Sequence, residues 1–268
     1  MAKKVTRLYE QFHPENYKIH ITLSEDKQSF TGSVIMTGQR VGKPSKRITL
    51  HTKDLQTSNH KVIRTDKKGA TEELTLSRVN EQKTYDELRL HFDQDIFPAK
   101  FEISMDFEGK ITDNMDGIYP CYFEHDGKQK RLIATQFESH HAREAFPCID
   151  EPEAKATFDF TLTHASNETA IANTPIVDQK TNGSVTTTTY DTTPIMSTYL
   201  MAFAVGDIEF KEATSKSGIK IRTYATPAQV QYTDFALEFA VKCMDYLRRR
   251  HHWTIFIVIQ LPKVGNIL

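Results

Sequence analysis

A chain with eleven histidines and three cysteines carries the raw material for a metal site. The helical form of zinc hydrolysis uses His-Glu-x-x-His, which sets two imidazoles on one face with a glutamate beside them as general base. No histidine here is followed by glutamate. Two adjacent pairs occur, His140-His141 and His251-His252. Neighbours in sequence do not face each other on a helix and point to opposite faces of a strand, so both pairs are expected to be ordinary surface or part-buried residues. No Gly-rich phosphate loop and no Gly-x-Ser-x-Gly elbow appears. Cys148, in Phe146-Pro147-Cys148-Ile149, has no adjacent base or cation to activate it and reads as a buried structural thiol. Gln136 and Glu138 lie two apart, so an extended segment turns them to one face and Phe137 into the core. A carboxylate on that face suits an ammonium group, through a charge-assisted bond. From the bare residues the plainer reading is a solvent-facing Glu138 paired with an arginine such as Arg143.

These side chains need a frame, and the dominant pattern is period-two alternation, the mark of half-buried strands. Tyr17, Ile19, Ile21 and Leu23 alternate with Lys18, His20 and Thr22. Phe101–Phe107, Leu88–Phe92 and Phe158–Leu162 repeat the pattern, and Thr186–Tyr190 is β-branched and aromatic. Lys67-Lys68-Gly69, Asp126-Gly127, Asn182-Gly183 and Ser217-Gly218 supply turns between such runs. Many short strands with these turns predict a mainly β protein, a large antiparallel β-sandwich or saddle. After Thr226 the spacing of Phe235, Phe239 and Leu247 turns helical, and one amphipathic helix is expected from Pro227 to about Arg249. The basic run Arg248–His252 reads as a solvated helix end.

Composition narrows the partners. The 268 residues are 38% hydrophobic and 26% charged, with Lys+Arg 34 against Asp+Glu 35 and a formal net charge of -1. No bulk charge favours nucleic acid or an anionic membrane. Three cysteines read as reduced thiols. Met1-Ala2-Lys3-Lys4-Val5 is not followed by an apolar run, which argues against a signal peptide. The longest apolar run, Trp253–Ile259, falls far short of the ~20 residues of a membrane helix. A soluble, cytoplasmic protein is expected.

One segment is distinctive. Ala134–Phe158 contains Thr135-Gln136-Phe137-Glu138, Ala142-Arg143, Phe146-Pro147-Cys148-Ile149-Asp150-Glu151-Pro152 and Lys155-Ala156-Thr157-Phe158. It resembles the Thr-Gln-x-Glu … Phe-Pro-Cys-x-Asp-Glu-Pro stretch of the aminopeptidase N family of zinc metalloaminopeptidases. Phe30–Val34, Asp116–Tyr119 and Met196–Asp207 are similar to further family segments, in order along the chain. The resemblance implies an amino-terminal β-domain over 1–210. It also implies the incomplete beginning, strand plus helix, of a thermolysin-like catalytic domain over 211–268. It implies that Glu138 helps bind the protonated α-amine of a peptide substrate and that Gln136 lies beside the first side-chain pocket. Arg143, Asp150, Glu151 and Lys155 are read as a structural ionic cluster around Pro147 and Pro152. The family's zinc helix and its Gly-x-Met-Glu-Asn motif are absent, so no cofactor is expected in this chain and zinc is expected in a full-length parent. Leu261-Pro262-Lys263 looks like a segment shortly upstream of that motif, whereas Arg248–Ile259 departs from the family pattern, as a truncation, frameshift or insertion would make it. The chain is therefore expected to be inactive alone, its partners being peptide substrate and the missing catalytic domain. The alternative is a non-catalytic, aminopeptidase-like protein-interaction module.

Overall fold

The computed structural model describes residues 7–251, and the side chains of 248–251 are not among those described. The apolar run 253–259, His252 and the segment 261–263 lie outside the described residues. In chain order the first strands are β1 (Phe12–Leu23), β2 (Ser29–Arg40), β3 (Ser45–His51), β4 (Gln56–Thr65), β5 (Thr71–Glu73), β6 (Arg78–Gln82), β7 (Glu87–Ile96) and β8 (Ala99–Lys110). Then come β9 (Gly117–His125), β10 (Lys128–Gln136), β11 (Thr157–Ala165), β12 (Thr169–Ala172), β13 (Ile176–Asn182), β14 (Val185–Tyr190), β15 (Phe203–Gly206), β16 (Glu209–Thr214) and β17 (Lys220–Ala225). A single helix, α1 (Asp234–His251), follows. The mainly β expectation holds.

The strands form four sheets. The largest runs β13-β14-β11-β1-β2-β8-β4-β5; the others are β12-β15-β10-β9, β3-β7-β6 and the hairpin β16-β17. The alternation read from the sequence is the burial pattern observed: Tyr17, Ile19 and Ile21 are buried while Lys18 and His20 face solvent. Asp126 and Gly127, both at positive φ, form the two-residue loop between β9 and β10, as the dipeptide predicts. At Gly38 the β1–β2 pair runs so close that a Cβ would lie 2.4 Å from the carbonyl oxygen of His13, beside the register shift at Pro14.

Two expectations need correction. The large sheet is not wholly antiparallel: β1 pairs with β11 in parallel, with Tyr17 opposite Phe158 and Ile19 opposite Phe160. Sequence alternation specifies a face and carries no information on strand direction. The helix begins at Asp234, not Pro227; a 3-10 turn at Val230–Tyr232 precedes it. The Thr226 carbonyl accepts from the N–H groups of Gln229 and Val230, so the chain winds into separate turns before the helix.

The centre of the core is aromatic. The Tyr17 ring stacks on Phe158 at 5.1 Å, and Phe146 meets both edge-on at 6.2 and 6.5 Å. Phe137 meets Phe146 at 6.2 Å. All four rings are at most 2% exposed. The long connection between β10 and β11 thus contributes Phe137 and Phe146 to the interior. Replacing Phe158 by Ala is expected to cost about 3–5 kcal/mol of unfolding free energy, the usual range for a fully buried aromatic. Urea denaturation with an unchanged m-value checks it.

Candidate substrate-binding site

β10 ends at Gln136, which pairs with Gly117 at the start of β9. The chain then bends. The N–H of His141 donates to the carbonyl of Phe137 at 2.9 Å and closes a turn. Phe137 is buried, while Gln136, Glu138, Ser139 and His140 face solvent. The Glu138–Ser139 peptide is cis. Gln136 and Glu138 therefore flank a core-facing Phe137, as the two-residue spacing requires. Among the described residues neither side chain has an ion-pair or side-chain hydrogen-bond partner. Arg143, offered above as a partner for Glu138, is engaged elsewhere, so that pairing is not formed.

Arg143 belongs to a buried network. Its Nε donates to Asp150 Oδ2 at 3.1 Å and its Nη2 donates to the Asp150 carbonyl at 3.1 Å. Thr198 Oγ1 donates to Asp150 Oδ1 at 2.7 Å. The Asp150 N–H donates to Nδ1 of His51 at 3.0 Å. Burial, and then the charges of Arg143 and His140, push His51 down to about 3, so its imidazole is neutral and able to accept. Glu151 takes the N–H of Leu8 at 2.7 Å and Arg7 Nε at 2.9 Å. The structural reading of Arg143, Asp150 and Glu151 stands. Lys155 departs from it, since among the described residues it has no ion pair.

A second cluster sits under the Glu138 turn. His141 Nδ1 lies 2.9 Å from Glu144 Oε1, and its Nε2 lies 3.7 Å from Asp116 Oδ1. Lys53 Nζ donates to the same Glu144 oxygen at 2.8 Å. Burial would raise the Glu144 carboxyl, but the hydrogen bonds from Lys53 and His141 outweigh it and hold it below its ordinary value. A cleft of about 700 Å³ opens beyond, with Lys53, Asp116, Ile118 and Glu144 in its wall. Neither Gln136 nor Glu138 lines it.

The rings of His140 and His141 stack at 4.8 Å, against the expectation that adjacent histidines diverge. The rule applies to regular helix and strand, and these two sit at a turn. Among the described residues no three His, Cys, Asp or Glu side chains form a group able to hold a metal ion. Among the described residues the donor set therefore does not fit zinc. Cys148 is fully buried, and burial pushes its thiol well up. Cys121 and Cys243 are likewise unpaired. Sequence reasoning missed His51, Lys53 and Thr198. Their partners lie 99, 91 and 48 positions away, and no local pattern marks such pairings.

Known proteins match the chain over most of its length. A family model described as the Peptidase M1 N-terminal domain matches residues 13–200. An Aminopeptidase N of Lactococcus lactis subsp. lactis is 38% identical over 260 residues, covering 92% of this chain and 28% of the relative. Aminopeptidase M1-A of Oryza sativa subsp. japonica is 34% identical over 254 residues, covering 95% and 28%. A Puromycin-sensitive aminopeptidase of Caenorhabditis elegans is 39% identical over 173 residues, covering 63% and 18%. The chain thus spans roughly a quarter of the length of most of these relatives.

The His51 environment sets a pH dependence. A histidine neutral in the fold down to about 3 binds no proton there, whereas the unfolded chain binds one below about 6.5. Unfolding free energy is expected to fall as pH drops from about 6.5 toward 3, by roughly 1.4 kcal/mol per unit from this group. Denaturation from pH 7 to 4 should show a shallower fall in His51→Asn than in the parent chain. Parallel curves would remove His51 from the account.

Proposed function

The chain belongs to the Peptidase M1 N-terminal domain family, and on that premise we propose that it is the β-domain of a zinc aminopeptidase that removes amino-terminal residues from peptides. The observation that carries this reading is the Gln136–Phe137–Glu138 arrangement. An exposed carboxylate without a cation partner stands at a strand end, on a turn held by a buried aromatic ring and a backbone bond. A protonated α-amine answers such a carboxylate through a charge-assisted bond, and an internal peptide nitrogen does not, so Glu138 selects chain ends. Gln136, on the same side, borders the position of the first side chain.

Zinc and the water it activates belong, in this reading, to the peptidase part of the parent protein. α1 is the surface that meets that part. It lies against the β16–β17 hairpin with Leu237 buried, and Lys211 and the N–H of Lys216 hold its Asp234 and Asp245 at 2.6 and 3.0 Å. Phe235 and Phe239, one turn apart on the outer side, are 79% and 58% exposed, with rings 6.1 Å apart. An aromatic pair so exposed on a well-anchored helix favours an apolar partner. The same pair supports the second reading, a non-catalytic interaction module. No described helix is long and apolar enough to cross a membrane. Three unpaired cysteines are in keeping with a cytoplasmic setting.

A fusion separates the two readings. This chain is joined to the part of the Lactococcus lactis aminopeptidase N beyond the matched region, and release of amino acids is measured on free and N-acetylated peptides. The fusion is expected to cleave only the free-amine peptides. Glu138→Gln is expected to lower kcat/KM roughly 10- to 100-fold, the loss of one charge-assisted bond. A Glu138→Gln fusion as active as its parent removes the proposed role. A folded fusion without any peptidase activity favours the interaction module.

A further inference from the structure

The sheet β3-β7-β6 carries a charge pattern that the Glu138 site does not use. Ile48, Leu50, Leu88 and Leu90 turn inward and are buried. Alternation therefore places Arg47 and Thr49 of β3, Arg89 and His91 of β7, and Arg78 and Asn80 of β6 on the outer face. The register sets Arg47 opposite His91 and His91 opposite Arg78, so three basic side chains form one transverse row. Thr49, Arg89 and Asn80 form the next.

Opposite charges directly across a strand pair stabilise a sheet. Arg64 stands opposite Glu72 and Arg222 opposite Glu212, each pair at 2.7 Å. On the outer face of β3-β7-β6, Glu87 answers Arg89 at 2.7 Å, and Asp93 is exposed two residues beyond His91. Among the described residues no carboxylate pairs with Arg47 or Arg78. Arg78 Nη2 lies 3.5 Å from His91 Nε2, which itself lies 2.8 Å from Asn80 Oδ1. Burial, then Arg78, Arg47 and Arg89, lower the His91 pKa, so all three guanidinium groups reach this imidazole electrostatically. In the adjoining row Thr49 is 5% exposed and its Oγ1 has no hydrogen-bond partner.

We propose that the outer face of this sheet binds a tetrahedral oxyanion of the phosphate or phosphomonoester class, gripped by Arg47 and Arg78 on either side of His91. The two arginines stand two strand spacings apart, roughly 10 Å between backbones; Arg78 already lies beside the imidazole, and Arg47 stands on the strand to its other side. The planar guanidinium fork matches the oxygens of such an anion. A bound dianion supplies the counter-charge that no described carboxylate gives Arg47 or Arg78. The site is independent of Glu138 and of the proposed peptidase activity.

Isothermal titration of the purified chain with inorganic phosphate, and separately with O-phosphoserine, at constant ionic strength in chloride, tests this. One anion per chain is expected to bind. Arg47→Gln and Arg78→Gln are each expected to weaken binding roughly tenfold or more, as loss of a charge-assisted bond does. Arg64→Gln, on the large sheet, is expected to leave it unchanged. Equal affinity for the two probes makes the bare phosphate group the ligand; a preference for O-phosphoserine makes it an ester. The His91 imidazole resonance, assigned with His91→Gln, gives a second readout. Saturating phosphate should move its titration midpoint upward in the parent chain and leave it in place in the Arg47→Gln/Arg78→Gln double variant. Absence of phosphate binding, or equal binding by the folded double variant, overturns the proposal.

Discussion

One buried aspartate ties the loop that carries Glu138 to distant parts of the chain. The Asp150 side chain is 1% exposed, and taking a charge out of water costs several kcal/mol unless it is met. Arg143 meets one oxygen and Thr198 the other, while the Asp150 backbone N–H is taken by His51. Two segments distant in sequence are thereby tied to the loop between β10 and β11, while Arg143 closes the loop on itself. Tyr17 adds a further tie, its hydroxyl accepting from the N–H of Ile149 at 3.0 Å inside the aromatic core.

That loop joins packing to site. Phe137 at its start and Phe146 at its middle anchor it in the core, and the turn between Phe137 and His141 is left to project. The Lys53–Glu144–His141 cluster braces the turn from below. Glu138 is consequently a mobile-looking residue type on a fixed support, free at its carboxylate and constrained at its backbone. In the amine-binding role proposed for it, such a group loses little conformational entropy on meeting a ligand, because its main chain is already ordered.

Much of this was legible in the chain itself. Tyr17 through Leu23 and Phe101 through Phe107 announced their strands and inward faces by alternation alone. The two-residue spacing of Gln136 and Glu138 gave their exposure on either side of a buried Phe137. What stayed hidden was of two kinds. Strand direction was one, since β1 reads the same whether β11 runs with it or against it. Long-range pairing was the other: His51 and Thr198 show nothing local that assigns them to Asp150. The adjacent histidines failed as a rule-based reading for a related reason, because a turn obeys neither the helical nor the extended period.

The parallel pairing of β1 with β11 governs the order in which the molecule can be built. During synthesis β1 emerges early, finds β2 at once, and then waits with its other edge unsatisfied until some 140 further residues exist, given partners such as Asn16 and Thr157. Closing so large a loop is entropically slow, and such contacts lower folding rates. Through that interval the nascent chain presents an open strand edge lined by Tyr17, Ile19 and Ile21, the kind of surface on which ribosome-associated chaperones act and on which aggregation begins.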